Sequence, residues 1–278
     1  MTKTSMIFNE KAKSSQTADA SWKSLYRVGT IAALIAALVF RRNLGVAEIP
    51  LLTGIAPHSS VAGWFTLLRN NPLLGLTLLN VFDITNYALV GIMFLAVFVA
   101  LRLVNKSCTL LAFTFSLLGI GIYIVSNSAL LMLSLSNQYA TATTDAQRST
   151  LLAAGQAVLA NGYNSGAVYQ GAGFYLSLLL VAMAGMLMSA VMLKSIIFSK
   201  ITAYIGIVAS AFDLAYLVGL TFVPQAEVYL LGVICIASAG LFLMIWHLLI
   251  GIKLYHLGST PKVKGVSTQG QSIDCLRD

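Results

Sequence analysis

The sequence predicts an all-α polytopic membrane helix bundle, with six transmembrane helices and interfacial helices in two long outer connections. Three observations carry this. Of the 278 residues, 58% are hydrophobic and 9% charged, whereas soluble domains carry about 25% charged residues. The apolar residues gather into six runs, each near the roughly 20 residues that cross a hydrocarbon core. The basic residues sit at the ends of those runs, as topology signals do. The net charge of +8 therefore speaks of orientation in a bilayer, and the partner it implies is lipid rather than nucleic acid.

Residues 1–23 mix Lys3, Glu10, Lys11, Lys13, Asp19 and Lys23 and read as a disordered arm. The first span, 25–40, ends in LVFRRN and lacks the small-residue cleavage site of a signal peptide, so it reads as an uncleaved helix with Arg27 snorkelling at its start. Residues 41–71 read as a long connection punctuated by Pro50 and Pro57. Within it Ser59 and Ser60 can cap a short helix over 61–68, whose Trp64 and Phe65 suit the headgroup layer. Asn71 and Pro72 then have the pattern of an N-cap followed by Pro at the first helical position.

The apolar stretch 73–104 is 32 residues long, more than one crossing needs. The reading is an interfacial or kinked lead-in followed by a second span over about 80–101. The alternative, two crossings, would make the number of spans odd. A basic loop at 102–107 leads to the third span, 108–133. There Ser116, Tyr123, Asn127 and Ser134 share a face, and Gly119 and Gly121 allow close helix approach. The second long connection, 134–171, reads as a polar loop (SNQYATATTDAQR), an amphipathic helix over 149–160, and the stretch NGYNSGAVYQGAG.

The fourth span, 173–193, carries Met183, Met186, Met188 and Met192 as soft packing and a small-residue face of Ala182, Gly185 and Ser189. After a basic loop at 194–200, the fifth span, 201–222, holds Asp213 near its middle. A turn at Pro224 leads to Glu227 at the head of the sixth span, 228–252, with Trp246 and Tyr255 as interfacial markers and a polar tail from His256. The organisation expected is an arm (1–23), a bundle (24–255) and a tail (256–278).

With six spans, the side holding both termini has Lys3, Lys11, Lys13, Lys23, Arg27, Arg102, Lys106, Lys194, Lys200, Lys253, Lys262, Lys264 and Arg277. The other side has Arg41, Arg42, Arg69 and Arg148. Thirteen against four places both termini in the cytoplasm of a cell with the protein in its plasma membrane.

Asp213 is the residue on which a function would turn. A carboxylate at bilayer depth costs roughly 2.5–3.5 kcal/mol on insertion scales, so it should face the bundle interior and polar company. Gly206, Ser210, Tyr216 and Leu217 share its helical face. The orientation collects other polar groups toward the outer leaflet: Asn80 and Asp83 on the second span, Tyr123 and Asn127 on the third, Glu227 on the sixth, and Tyr163, Asn164, Tyr169 and Gln170 in the second connection. The expectation is an outward-opening polar pocket for a small molecule or ion, lined by Asp213, Asp83, Asn127, Tyr123, Tyr216 and Asn80. The competing expectation is a set of interhelical hydrogen bonds and helix caps with no ligand, in a non-enzymatic structural or partner-binding protein. A third is an intramembrane enzyme using Asp83 and Asp213.

Enzyme signatures are sparse. His58, His247 and His256 have no metal-ligand spacing, so no zinc hydrolase is indicated, and His247 beside Trp246 reads as interfacial. No GxSxG and no phosphate-binding GxxxxGK[ST] occurs. Cys108, Cys235 and Cys275 make neither a disulfide framework nor a metal set. No cofactor or metal is expected.

The stretch from GYNSGAVYQGAGFYLSLLL through MLKSIIFSKITAYIGIVASAFDLAYLVGLTFVP carries Gly171, Gly173, Gly185, a basic turn at 194–200, Gly206 and Tyr216. In this it resembles a family of uncharacterised multi-pass membrane proteins of bacteria and archaea, a domain of unknown function. The resemblance extends over about residues 24–255 and implies a polytopic membrane fold with no assigned activity.

Overall fold

The computed structural model describes residues 20–53, 60–161, 171–222 and 225–259, with side chains described in these except at 20, 40–53, 161, 220, 225–233 and 236. The described residues are helical and contain no strand. After one 3-10 turn, Ala20–Trp22, ten helices follow: α1 (Lys23–Thr53), α2 (Val61–Asn70), α3 (Pro72–Leu78), α4 (Val81–Leu101), α5 (Lys106–Ser126), α6 (Ala129–Thr141), α7 (Asp145–Asn161), α8 (Ala172–Leu193), α9 (Lys200–Phe222) and α10 (Gln225–Ser259). Five runs are long and apolar enough to cross a membrane: α4, the run Lys106–Thr141 that holds α5 and α6, α8, Lys200–Gly219 within α9, and Ala237–Ser259 within α10. The protein is thus a helical membrane protein.

The six long helices close into a ring in the order α1, α4, α5, α8, α9, α10, with α10 returning to α1. Small residues explain how tightly the ring closes. The inward stripe of α1 is Gly29, Ala32, Ala33, Ala36 and Ala37. A Cβ on Gly29 would lie 2.5 Å from the Ala96 Cβ of α4, and one on Gly251 of α10 would lie 3.1 Å from Leu34. Backbones that close gain dispersion contacts, the main attraction between helices in lipid. The opposite stripe of α1, Val28, Ile31, Ile35 and Leu38, is exposed. Soluble surfaces rarely carry such contiguous apolar stripes, whereas a hydrocarbon solvent accepts them.

α2, α3, α6 and α7 form a cap at one end of the ring, with a core of its own. Trp64, Phe65 and Leu68 of α2 pack with Leu78, Leu79, Met132, Leu135 and Leu159. Phe65 meets Tyr139 of α6 at 5.4 Å between ring centroids. Because α2 packs on α6, the two long connections lie at the same end of the ring. The cap helices start where the sequence signals them: Ser60 Oγ accepts from Gly63 N at 3.2 Å, and Asn71 Oδ1 accepts from Leu74 N at 3.1 Å with Pro72 next in the chain. The 32-residue apolar stretch divides into α3, which at 7 residues is only about 10 Å long, and α4.

The structure corrects several boundaries. α1 runs on past Arg41 and Arg42 to Thr53 instead of ending near residue 40. No helix breaker stands between 41 and 49 except the weak former Gly45, and Pro50 falls only in the last turn. The third span breaks at Asn127 and Ser128, not near 133. Residues 134–141, expected in the second connection, belong to α6, where Met132, Leu135 and Ser136 are buried and α6 packs on α2. Trp64 and Phe65 are buried in the core of the cap, 0% and 2% exposed. Gly121, expected at a helix contact, has open space around it. His256 to Ser259 continue α10 rather than beginning the tail. The arm over 1–19 and the tail over 260–278 lie outside the described residues.

Candidate functional site

At the cap end of the bundle, α4 and α5 bring four of the six expected residues together. Asn80 carries φ 58°, the one positive value at a non-glycine residue among those described. Asparagine tolerates this left-handed conformation, and it turns the chain from α3 into α4. Its carbonyl accepts from Asn127 Nδ2 at 3.2 Å. Three residues on, Asp83 accepts from the Tyr123 hydroxyl at 3.2 Å. Asn127 Nδ2 also reaches the Tyr123 oxygen at 3.4 Å, while its Oδ1 accepts from Ala129 N at 3.0 Å and so starts α6. One turn below Asp83, Tyr87 stacks on Tyr123 with ring centroids 4.0 Å apart and planes 3° apart. A groove of about 210 Å³ opens beside Asn127, between residues 125–128 and Ala157 of α7.

The other two, Asp213 and Tyr216, lie elsewhere, on α9. The ring order explains the separation, since α9 stands across the ring from α4. Tyr216 is buried with Leu178 of α8 and Cys235 of α10, and Phe174 packs against that group. Phe174 also meets Tyr123 edge to face at 6.4 Å, so it is the link between the two clusters. Asp213 lies close enough to Cys235 for the two to interact electrostatically. Among the described residues Asp213 has no side-chain hydrogen bond and no ion pair.

The burial pattern of α9 fixes where Asp213 points. Gly206, Ala209, Ser210, Tyr216 and Leu217 are buried, and Tyr204, Val208, Ala211, Ala215, Val218 and Phe222 are exposed. At 100° per residue Asp213 falls at the centre of the buried stripe, opposite the lipid face. Yet it is half-buried where its stripe neighbours are buried.

The cap-end geometry is consistent around the ring. Tyr123 joins α5 to α4, Phe174 joins α8 to α5, and the Tyr175 hydroxyl meets Thr221 of α9 at 3.1 Å. At 1.5 Å rise per residue, Asp83 lies about 3 Å and Asp213 about 13 Å below the cap-side ends of their helices. A general acid and base must come within hydrogen-bond reach. The two carboxylates, on opposite helices about 10 Å apart in depth, do not make such a pair.

Two buried oxygens went unnoticed in the sequence. Asn86 of α4 is 1% exposed and Ser177 of α8 is 0% exposed. Among the described residues the Asn86 Oδ1 and the Ser177 Oγ have no hydrogen-bond partner. Asn86 follows Asp83 by three residues on one face, a spacing that would have revealed it; Ser177 carries no such signal.

Farther from the cap, Trp246 and His247 are 1% and 2% exposed. They are interior residues, not the interfacial markers expected from the sequence. Gly206 makes the room: a Cβ there would run into Ser189 Oγ and the Trp246 indole nitrogen. Trp246 then meets Phe94 of α4 at 6.0 Å, and His247 Nδ1 bonds the Leu243 carbonyl at 2.6 Å. Tyr163, Asn164, Tyr169, Gln170 and the Glu227 side chain lie outside the described residues. Among those described, no group of three or more His, Cys, Asp or Glu could hold a metal ion. No family model matches the chain, and neither a curated protein nor a solved structure matches it.

Proposed function

We propose that this chain is a six-span protein of the plasma membrane that receives a small molecule or ion through an outward-facing polar site centred on Asp213. Both termini are cytoplasmic in this reading, and the cap lies outside with α2, α3, α6 and α7 at or above the headgroups. Two features support the topology. The described cations Lys23, Arg27, Arg102, Lys106, Lys194, Lys200 and Lys253 fall at the helix ends and loops away from the cap, whereas Arg69 and Arg148 belong to the cap. The two cap connections share an end, so an even number of crossings, α4 and α5, separates them.

The observation that carries the function is Asp213 itself: inward, half-accessible and without a hydrogen-bonding or ionic partner among the described residues. An acid at this depth is rarely kept for packing alone. Asp83, Tyr123, Asn127 and Asn80 form the rim, and Tyr216 and Phe174 the wall between rim and carboxylate.

The test is thiol accessibility. In a chain whose three cysteines are replaced by serine or alanine, Asp213→Cys is exposed to a membrane-impermeant thiol reagent in right-side-out and inverted vesicles. Labelling from the outer side alone is expected. Labelling only in inverted vesicles, or only after detergent, removes the outward site.

A second reading applies to the rim. Its polar groups satisfy one another, as a structural staple or partner-binding scaffold requires. In that case Asp213→Asn leaves the cellular phenotype intact and changes only stability in detergent.

A further inference from the structure

The end of the ring away from the cap carries a surface of two chemistries. Lys106 opens α5, Lys194 follows α8 and Lys200 opens α9, and these three helices are consecutive in the ring. Packed helices stand about 8–10 Å apart between axes, so the lysines form one patch. All three are exposed, and none is in an ion pair among the described residues. The acids whose side chains are described lie elsewhere. Asp145 belongs to the cap, Asp83 to the first turn of α4 at its cap-side end, and Asp213 is about 20 Å along α9 from Lys200.

Beside the charge lies exposed apolar surface. Leu110 is one turn on from Lys106 and Tyr204 one turn on from Lys200, each on the face of its lysine and each exposed. Ile201, next to Lys200, is exposed as well. The loop between α8 and α9 is tied down: the Ser195 Oγ accepts from Ile197 N at 2.8 Å, and the Ser199 Oγ accepts from Thr202 N at 3.1 Å. Lys194 and Lys200 thus stand on a fixed turn. A topology signal needs only a count of positive charges. It does not need a cation and a bare apolar side chain one turn apart on two helices of the same patch.

We infer that this α5–α8–α9 corner is a docking surface for an anionic phospholipid, with the headgroup phosphate on Lys106, Lys194 and Lys200 and the acyl chains along Leu110, Ile201 and Tyr204. Charge complementarity selects the phosphate, as it does where lysines cluster at a membrane surface. The apolar flank selects a lipid over a soluble anion, because phosphate alone leaves those side chains uncovered. The inference needs only that the chain spans a membrane. It stands whether or not Asp213 binds a ligand, and whichever side of the membrane the cap is on.

The full chain is placed in nanodiscs of phosphatidylcholine, with or without phosphatidylglycerol, and acylation of each lysine by an amine reagent is followed by peptide mass spectrometry. Phosphatidylglycerol is expected to slow the reaction severalfold at Lys106, Lys194 and Lys200, and much less at Lys253, a half-buried cation at the same end of the ring. Equal slowing at all four is the mark of a diffuse surface potential and overturns the docking surface, as does no slowing at the three. In detergent, added phosphatidylglycerol is expected to raise the unfolding temperature. Lys106→Gln, Lys194→Gln and Lys200→Gln should each raise the half-stabilising lipid concentration about fivefold, the weight of one basic residue near anionic lipid. The corresponding Lys→Arg variants should match the parent chain. Gln variants that respond like the parent overturn the role of the lysines, and where a variant does not fold the acylation of the parent decides. Inorganic phosphate is expected to have no effect. Stabilisation by it as strong as by the lipid means a soluble-anion site and overturns the lipid.

Discussion

Gly206 shows how much one missing methyl group decides. The indole of Trp246 and the Ser189 hydroxyl converge on it, so the α8–α9–α10 contact has no room for a Cβ. Replacement of Gly206 by Val should cost about 1–3 kcal/mol, the usual toll of overpacking, read as a fall in detergent unfolding temperature. An unchanged midpoint would mean that the helices shift freely at this contact. Among single residues the sequence was most legible where physics is local. An acid inside an apolar run announces Asp213, and serine or asparagine ahead of a helical pattern announces Ser60 and Asn71. It was least legible at Trp246 and His247, because whether an aromatic lies at an interface or in a core depends on the space its neighbours leave. Gly206, forty residues earlier in the chain, is that space.

At the scale of the element, the breaks between helices matter more than the helices. α5 and α6 are separated by two residues, and the Asn127 side chain both starts α6 and holds the Asn80 turn between α3 and α4. Asn127 thus fastens two chain reversals with one amide. Asn127→Leu should therefore loosen cap from bundle by about 1–3 kcal/mol. Hydrogen exchange at Ala129 and at residues 81–84 would rise together if so, and a rise confined to Ala129 would deny the coupling. Reading the sequence missed this break because the apolar pattern resumes after Ser126, Asn127 and Ser128 and runs on to 133. Hydropathy measures which solvent a segment prefers, and both α5 and the start of α6 prefer apolar surroundings: lipid for one, the cap core for the other. The same limit hid the length of α1, since polar residues after 40 argue against lipid without arguing against helix.

The whole molecule is a ring with a lid-like superstructure, and the sequence predicted its class from composition and run length while leaving the neighbours unstated. Which helix touches which depends on contacts between residues far apart in the chain, and no period in the sequence encodes them. Its orientation can be checked directly: Thr143→Cys on the exposed surface of the cap should react with impermeant reagent on intact cells, and Lys194→Cys should not. The reverse pattern would invert the whole assignment. The ring also has a seam. α1 and α10 lie side by side, and the Arg27 guanidinium bonds the Gly258 carbonyl at 3.3 Å across 231 residues of chain. The alanine-lined flank of α1 can therefore be covered by α10 only after the 231 residues that separate Arg27 from Gly258 have been synthesised.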